Sequence, residues 1–266
     1  DNGLRYFLYD SGKASDPFNI RLIVHAGSVD EPVPSGIAHI LEHMVFQTNA
    51  ARGRSMHGEI EALGWRTGVQ INAVTRETET QFMVRTRPND ALDLAGSLQF
   101  MADLVMKPAL DAEDWEKERF VILEELRQTG SVVDRVSRLK KAALRTRSRY
   151  VDRPTIGTHA GISRTSIEEI RSFYQSFYRA SNMTLIVSGR FDKDAARQAL
   201  DQAFASAPAI PAPERDYRIL PLKKGLSIDL VQDDEGSSSQ VTYAFRLPMP
   251  SRVTAAGQMA YLQQYF

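Results

Sequence analysis

Val69–Arg85 reads VQINAVTRETETQFMVR, and its layout decides the fold class. Val69–Thr75 and Thr80–Arg85 read as two strands joined by the charged Arg76–Glu79. Toward the N-terminus lies another such pair. Leu4–Tyr9 (LRYFLY) is aromatic and apolar, and in Phe18–His25 (FNIRLIVH) Ile20, Leu22 and Val24 alternate with Asn19, Arg21 and Ile23. Toward the C-terminus helices come in runs. Leu94, Leu98, Met101 and Val105 recur at helical spacing until Pro108, and Asp111 stands as cap to a helix from Ala112 to about Gln128. Ser166 and Glu169 then spell a capping box ahead of Ile167, Ile170, Tyr174, Phe177 and Tyr178. Met183–Val187 reads as a short buried strand and Lys193–Phe204 as a helix. Strands in pairs followed by helices in runs predict an α+β fold, an antiparallel or mixed sheet with helices packed against it in two layers.

The chain of 266 residues suits one large domain or two modest ones. Lys+Arg 33 against Asp+Glu 33 leaves no net charge, which removes the electrostatic case for nucleic acid or an acidic membrane as partner. No apolar run approaches the roughly 20 residues of a membrane span. Cys is absent, which excludes disulfides, thiolate metal sites and cysteine nucleophiles together, without fixing the compartment. The three prolines of Ala207–Pro213 (APAIPAP) mark a semi-rigid linker, so residues 1–206 form one domain, 207–216 the linker and 217–266 the start of a second. In that second part Leu226–Val231 and Gln240–Arg246 are strand-like, and Thr254–Phe266 begins a helix that the chain end cuts short, as if the natural protein continued.

Chemistry concentrates in Gly36–Phe46, GIAHILEHMVF, for which Ser35 is the expected N-cap. His39 and His43 stand one helical turn apart, with Cβ atoms about 5–6 Å from each other, and can grip one Zn²⁺. With His39 at 0° on the wheel, His43 falls at about 40° and Glu42 at about −60°, so Glu42 is set beside the metal axis as a general base rather than a ligand. A catalytic zinc needs a further protein ligand. The helix Ala112–Gln128 offers Glu118 and Glu125 within its apolar stripe, while Glu124 turns outward. These two acids lie about 10 Å apart along the helix axis, so only one can join the ion; periodicity does not say which.

On these residues the chain resembles the insulinase/pitrilysin-type (M16) zinc metallopeptidases, which include the mitochondrial processing peptidase. The likeness covers about residues 2–205 and rests on His39-x-x-Glu42-His43, Asn72-Ala73-x-Thr75 and Glu118-x6-Glu125. Pro154-x-Ile156-Gly157, Phe173-Tyr174-x3-Tyr178 and Asn182–Leu185 up to Gly189 support it. The resemblance implies one zinc held by His39, His43 and Glu125, Glu42 as base and Glu118 as supporting acid. It also implies an edge strand, Ile71, Asn72, Ala73 and Val74, that pairs with a peptide substrate by strand addition. In the family a second homologous half, or a partner subunit, closes a chamber over the metal. Where the family carries Asp-Glu-Thr-x-Tyr, this chain has Thr78-Glu79-Thr80-Gln81-Phe82.

The expected function is therefore a zinc-dependent endopeptidase acting on peptides or unfolded segments, the alternative being a catalytically silent partner or scaffold subunit of the same fold. S-ribosylhomocysteine lyase also uses this His-x-x-Glu-His order, but its chemistry needs Cys. The likeness points to the bacterial periplasm, with the cytoplasm as the other reading. Other features read as structural: His25, His57 and His159 as packed or surface residues, Ser237–Ser239 as loop, and Trp115, Phe120 and Ile122 as core. The amphipathic stretch Val132–Arg149, with Lys140, Lys141, Arg145, Arg147 and Arg149, reads as a solvated helix face.

Overall fold

The computed structural model describes residues 2–13, 16–87, 91–146, 148–215, 225–236, 239–245, 247, 250 and 254–263. The chain lays down β1 (Arg5–Asp10) and β2 (Phe18–Val24), then α1 (Ile37–Met44). A small ribbon of β3 (Thr48–Asn49) and β4 (Arg54–Ser55) leads into α2 (Met56–Ala62). The hairpin β5 (Ile71–Thr75) and β6 (Thr80–Thr86) follows, then α3 (Leu94–Met106), α4 (Ala112–Gln128) and α5 (Val132–Leu144). The sequence α6 (His159–Arg164), α7 (Ile167–Phe177), β7 (Met183–Gly189) and α8 (Lys193–Ala203) completes the first body, and α9 (Ala255–Gln263) stands near the end.

The five-stranded sheet runs β1-β7-β2-β6-β5, with β1 parallel to β7 and every other pair antiparallel, so the fold is α+β with a mixed sheet. Period-2 alternation puts Phe18, Ile20, Leu22 and Val24 of the central strand into the core and leaves Asn19 and Arg21 exposed. The helices cover one face: α3 packs on α8 and over β2 and β6, while α1 packs between α7, α4 and β5. The hairpin register pairs Ile71 with Val84 and Thr75 with Thr80, leaving β5 as a sheet edge. Val69 and Gln70, expected in this strand, lie in the preceding turn, although Gln70 O still accepts the Arg85 N–H at 2.6 Å.

The capping box at α7 forms as expected, Glu169 N–H donating to Ser166 Oγ at 3.2 Å and Ser166 N–H to Glu169 Oε2 at 2.8 Å. Asp111 holds the N-cap of α4 without a side-chain bond to it. The cap of α1 is a correction. Gly36, not Ser35, is the N-cap, with φ 80°. A Cβ there would meet Ile156 O at 2.7 Å and Gly157 Cα at 2.9 Å, so Gly36 and Gly157 pack backbone to backbone where a side chain has no room.

Four further expectations change. Phe120 is 72% exposed, because five residues before Glu125 puts it about 140° away around the helix, while Trp115 and Ile122 are buried. The basic stretch is helical only to Leu144, and part of it is structural. Lys141 and Arg145 reach Glu77 at 3.4 and 3.0 Å, and Arg149 Nε donates to Val29 O at 3.0 Å. Arg147 lies outside the described residues. Leu226–Val231 and 240–245 adopt no strand. Leu226, Ile228, Leu230, Val241, Tyr243 and Phe245 are exposed, with no described strand beside them to complete a ladder. Arg246, Ser237 and Ser238 lie outside the described residues, as do 264–266 of the last expected helix.

The proline-rich stretch 207–215 is held against the residues before it. Ser181 Oγ donates to Ile210 O, Arg179 Nη1 donates to Pro211 O at 3.1 Å, and the buried Arg215 pairs with the buried Asp30.

Candidate metal centre

The buried face of α1 is Ile37, Ala38, Ile40, Leu41 and Met44, which turns His39, Glu42 and His43 toward α4 and β5. The helix starts from a loop that supplies its missing side-chain cap. Glu31, fully buried, accepts the N–H groups of Gly36 at 2.8 Å, Ser35 at 3.1 Å and Ala38 at 3.2 Å. A carboxylate on these unpaired donors fits the positive end of the helix. Burial nevertheless pushes the Glu31 carboxyl up to about 7, with the bonds from Gly36, Ala38 and Ser35 opposing that rise.

Across from α1, α4 brings Glu118 and Glu125 to the two imidazoles. Glu125 Oε2 lies 3.5 Å from His43 Nε2 and Glu125 Oε1 lies 3.8 Å from His39 Nε2. Among the described residues, His39, His43 and Glu125 form the group able to hold a metal ion, their donor atoms all within 4.8 Å of one another. Bonds of 2.0–2.1 Å in a tetrahedral site put neighbouring ligand atoms about 3.4 Å apart, so the donor set fits zinc with small adjustment. Glu118 serves a different atom: its Oε1 accepts from His43 Nδ1 at 2.7 Å and its Oε2 from Gln47 Nε2 at 2.8 Å. That bond orients the ring and leaves Nε2 facing Glu125, the usual carboxylate support of a metal-binding histidine. Both acids share the side of α4 that faces α1, yet the Glu125 side chain is 43% exposed against 12% for Glu118, so the apolar stripe is open to solvent at the ligand end. Glu124 faces outward, paired with Arg127 at 2.7 Å.

The electrostatics favour a cation. Burial drives His39 down to about 4, and the His43 charge adds to that, so His39 is a neutral imidazole at neutral pH. Its Nδ1 is buried and has no hydrogen-bond partner among the described residues. Burial also acts against the His43 cation, but Glu118 and Glu125 outweigh it and hold the ring up at about 9. The hydrogen bond from His43, ahead of the opposing burial, holds Glu125 below the usual carboxylate range. Glu42 is displaced the other way: burial raises its carboxyl, against the hydrogen bond that Thr75 Oγ1 donates to its Oε2.

All four residues of the expected substrate strand lie on β5, with Ile71 buried, Asn72 exposed, and Ala73 and Val74 half-buried. The Arg85 N–H to Gln70 O and Arg76 N–H to Glu79 O bonds fix the ladder parity. By alternation the N–H and C=O of Ala73 point off the sheet edge. Sequence reading passed over Glu31, Gln47 and Thr75 as site residues. Thr75 had a signal, since it ends the Asn72-Ala73-x-Thr75 match; Glu31 and Gln47 had none beyond adjacency to the motif.

Two helices thus bring two histidines and an acid together beside the edge of a mixed sheet, a group that could hold a metal ion. Residues 6–158 match the family model for insulinase (peptidase family M16), and residues 164–266 match the model of the peptidase M16 inactive domain. The chain belongs to the insulinase family, peptidase family M16. It is 30% identical over 253 residues to the probable zinc protease PqqL of Escherichia coli, covering 94% of this chain and 27% of that one. The first half of the Escherichia coli periplasmic protease PqqL superposes with TM-score 0.77 at 30% identity, covering 84% of this chain and 48% of that one. The ferredoxin protease FusC, solved with Arabidopsis ferredoxin, superposes with TM-score 0.79 at 36% identity, covering 84% of this chain and 25% of that one. The chain thus spans about a quarter of the length of the curated relatives it matches. Among the described residues no helix is long and apolar enough to cross a membrane.

Proposed function

We propose that this chain carries the catalytic centre of a zinc-dependent endopeptidase that cleaves peptides or unfolded polypeptide segments. The observation that carries the reading is the convergence of His39 and His43 with Glu125, more than eighty positions later in the chain, with Glu42 beside them. His39, His43 and Glu125 hold one zinc, and Glu118 fixes the His43 ring through Nδ1. Bound zinc supplies Lewis-acid polarisation of a carbonyl and lowers the pKa of water there. Glu42 takes the proton of the attacking water on its carboxylate and passes it to the leaving amine, a role suited to a carboxyl raised by burial. The open edge of β5, at Ile71, Asn72, Ala73 and Val74, aligns the peptide by strand addition.

Residues 1–206 form the zinc-binding domain, 207–216 the linker, and 217–266 the beginning of a second homologous domain. The exposed alternating residues Leu226, Ile228 and Leu230 support that last assignment, because they have the pattern of strands whose sheet neighbours lie elsewhere. A further homologous half, in the same chain or in a partner, closes the chamber. A periplasmic setting follows from the likeness to a periplasmic protease.

The test uses the full-length protein: turnover of unfolded peptides by wild type and by Glu42→Gln, with zinc content measured in both. Loss of turnover with zinc retained is expected. Equal turnover rejects the role of Glu42, and a wild type that binds zinc but cleaves nothing favours the silent-subunit reading.

A further inference from the structure

We propose that Thr75 is a positioning residue that ties the base Glu42 to the strand carrying the substrate. This rests on the reading of Glu42 as base and of the β5 edge as the docking site. Thr75 is the last residue of β5, two positions beyond Ala73, whose backbone faces the open edge. Its hydroxyl donates to Glu42 Oε2 at 2.5 Å. The direction of the hydroxyl proton is fixed from behind. Thr80, the cross-strand partner, lies 3.5 Å away and commits its own proton to Ala26 O at 3.0 Å, so it leaves the Thr75 proton for Glu42. Thr75 is buried and β-branched, which keeps its Oγ1 in one rotamer well.

One strand therefore sets two distances. Ala73 fixes where the peptide backbone lies, and Thr75 fixes where the carboxylate that serves it points. Two residues of extended chain separate them by about 7 Å, a spacing that does not depend on how α1 and the sheet shift against each other. A glutamate on α1 held only by its own helix would follow α1; held by Thr75, it follows the substrate. Thr75 acts through Glu42 and binds neither metal nor peptide by its side chain.

The experiment compares wild type, Thr75→Val and Thr75→Ser of the full-length zinc-loaded protein on one peptide, with zinc content and thermal midpoint measured alongside. Losing a hydrogen bond to a charged group predicts kcat about tenfold to a hundredfold lower in Thr75→Val, with KM within about twofold of wild type. Zinc content should be unchanged, and Thr75→Ser, which keeps the hydroxyl, should recover most of the lost kcat. Should Thr75→Val fail to fold, Thr75→Ala carries the same test. A hydroxyl-free variant with wild-type kcat overturns the inference, as does a Thr75→Ser protein no better than Thr75→Val. Glu42→Gln run in parallel separates the two claims. If it retains turnover, the reading of Glu42 as base fails; if it is dead while Thr75→Val is fully active, only the positioning role fails.

Discussion

Glu118 and Glu125 stand seven residues apart on one helix and meet different nitrogens of the same ring, Glu118 at His43 Nδ1 and Glu125 on the Nε2 side. Their replacements should differ accordingly. Glu125→Gln and His43→Ala remove donors, and both should abolish stoichiometric zinc in a chelator competition. Glu118→Gln leaves the donor set complete but loosens the ring, so zinc affinity should fall about 10–100-fold, and an unchanged affinity would refute the support role. Glu31 offers a test through pH. Its folded-state carboxyl is raised to about 7 from an ordinary 4.5, so the folded chain holds a proton that the unfolded chain releases between those values. The stability it lends is complete below about 4.5 and is lost as pH rises through 7. The thermal midpoint of the zinc-free protein should therefore decline relative to that of Glu31→Gln between pH 5 and 7.5; parallel profiles would contradict the assignment.

At the scale of elements, β5 makes the functional claim. Ala73→Pro removes an N–H that the ladder does not use, so the fold should survive while KM for peptide rises several-fold. A KM that does not move would exclude strand addition at this position. The hairpin, the central strand and α4 were legible in the sequence because their periodicities are regular and their faces differ in polarity. The His39–Glu42–His43 geometry was legible for the same reason, since it is local to one helix. What was not legible is long-range. Ser35 has the right chemistry for a cap, yet Gly36 took the position because the close approach of Gly157, 121 positions later, demands a left-handed residue with no side chain. The acid that caps α1 comes from Glu31, outside the helix register, and neither spacing nor propensity reports it. The choice between Glu118 and Glu125 needed the family pattern, because both share one side of α4 and only the seat of α1 against that helix separates their partners.

At the scale of the molecule, the proline-rich stretch 207–215 is held against the residues before it. Arg215 pairs with Asp30, next to the Glu31 that caps α1, and both charges are buried. Arg215→Met strands the Asp30 carboxylate and should cost about 3–5 kcal/mol in urea unfolding, with part recovered in the double variant Asp30→Asn, Arg215→Met. A loss below 1 kcal/mol would show that the linker contributes little. The alternating apolar residues beyond it, Leu226, Ile228 and Leu230, are exposed. The proposed zinc would lie at one point in this molecule, where α1 and α4 meet. Anomalous diffraction from zinc-loaded crystals, recorded on both sides of the zinc edge, locates the ion directly. One peak is expected about 2.0–2.2 Å from His39 Nε2, His43 Nε2 and a Glu125 oxygen, with Glu42 beside it and unbound. A peak elsewhere, or Glu125 turned away from an ion held by the two histidines, would contradict it.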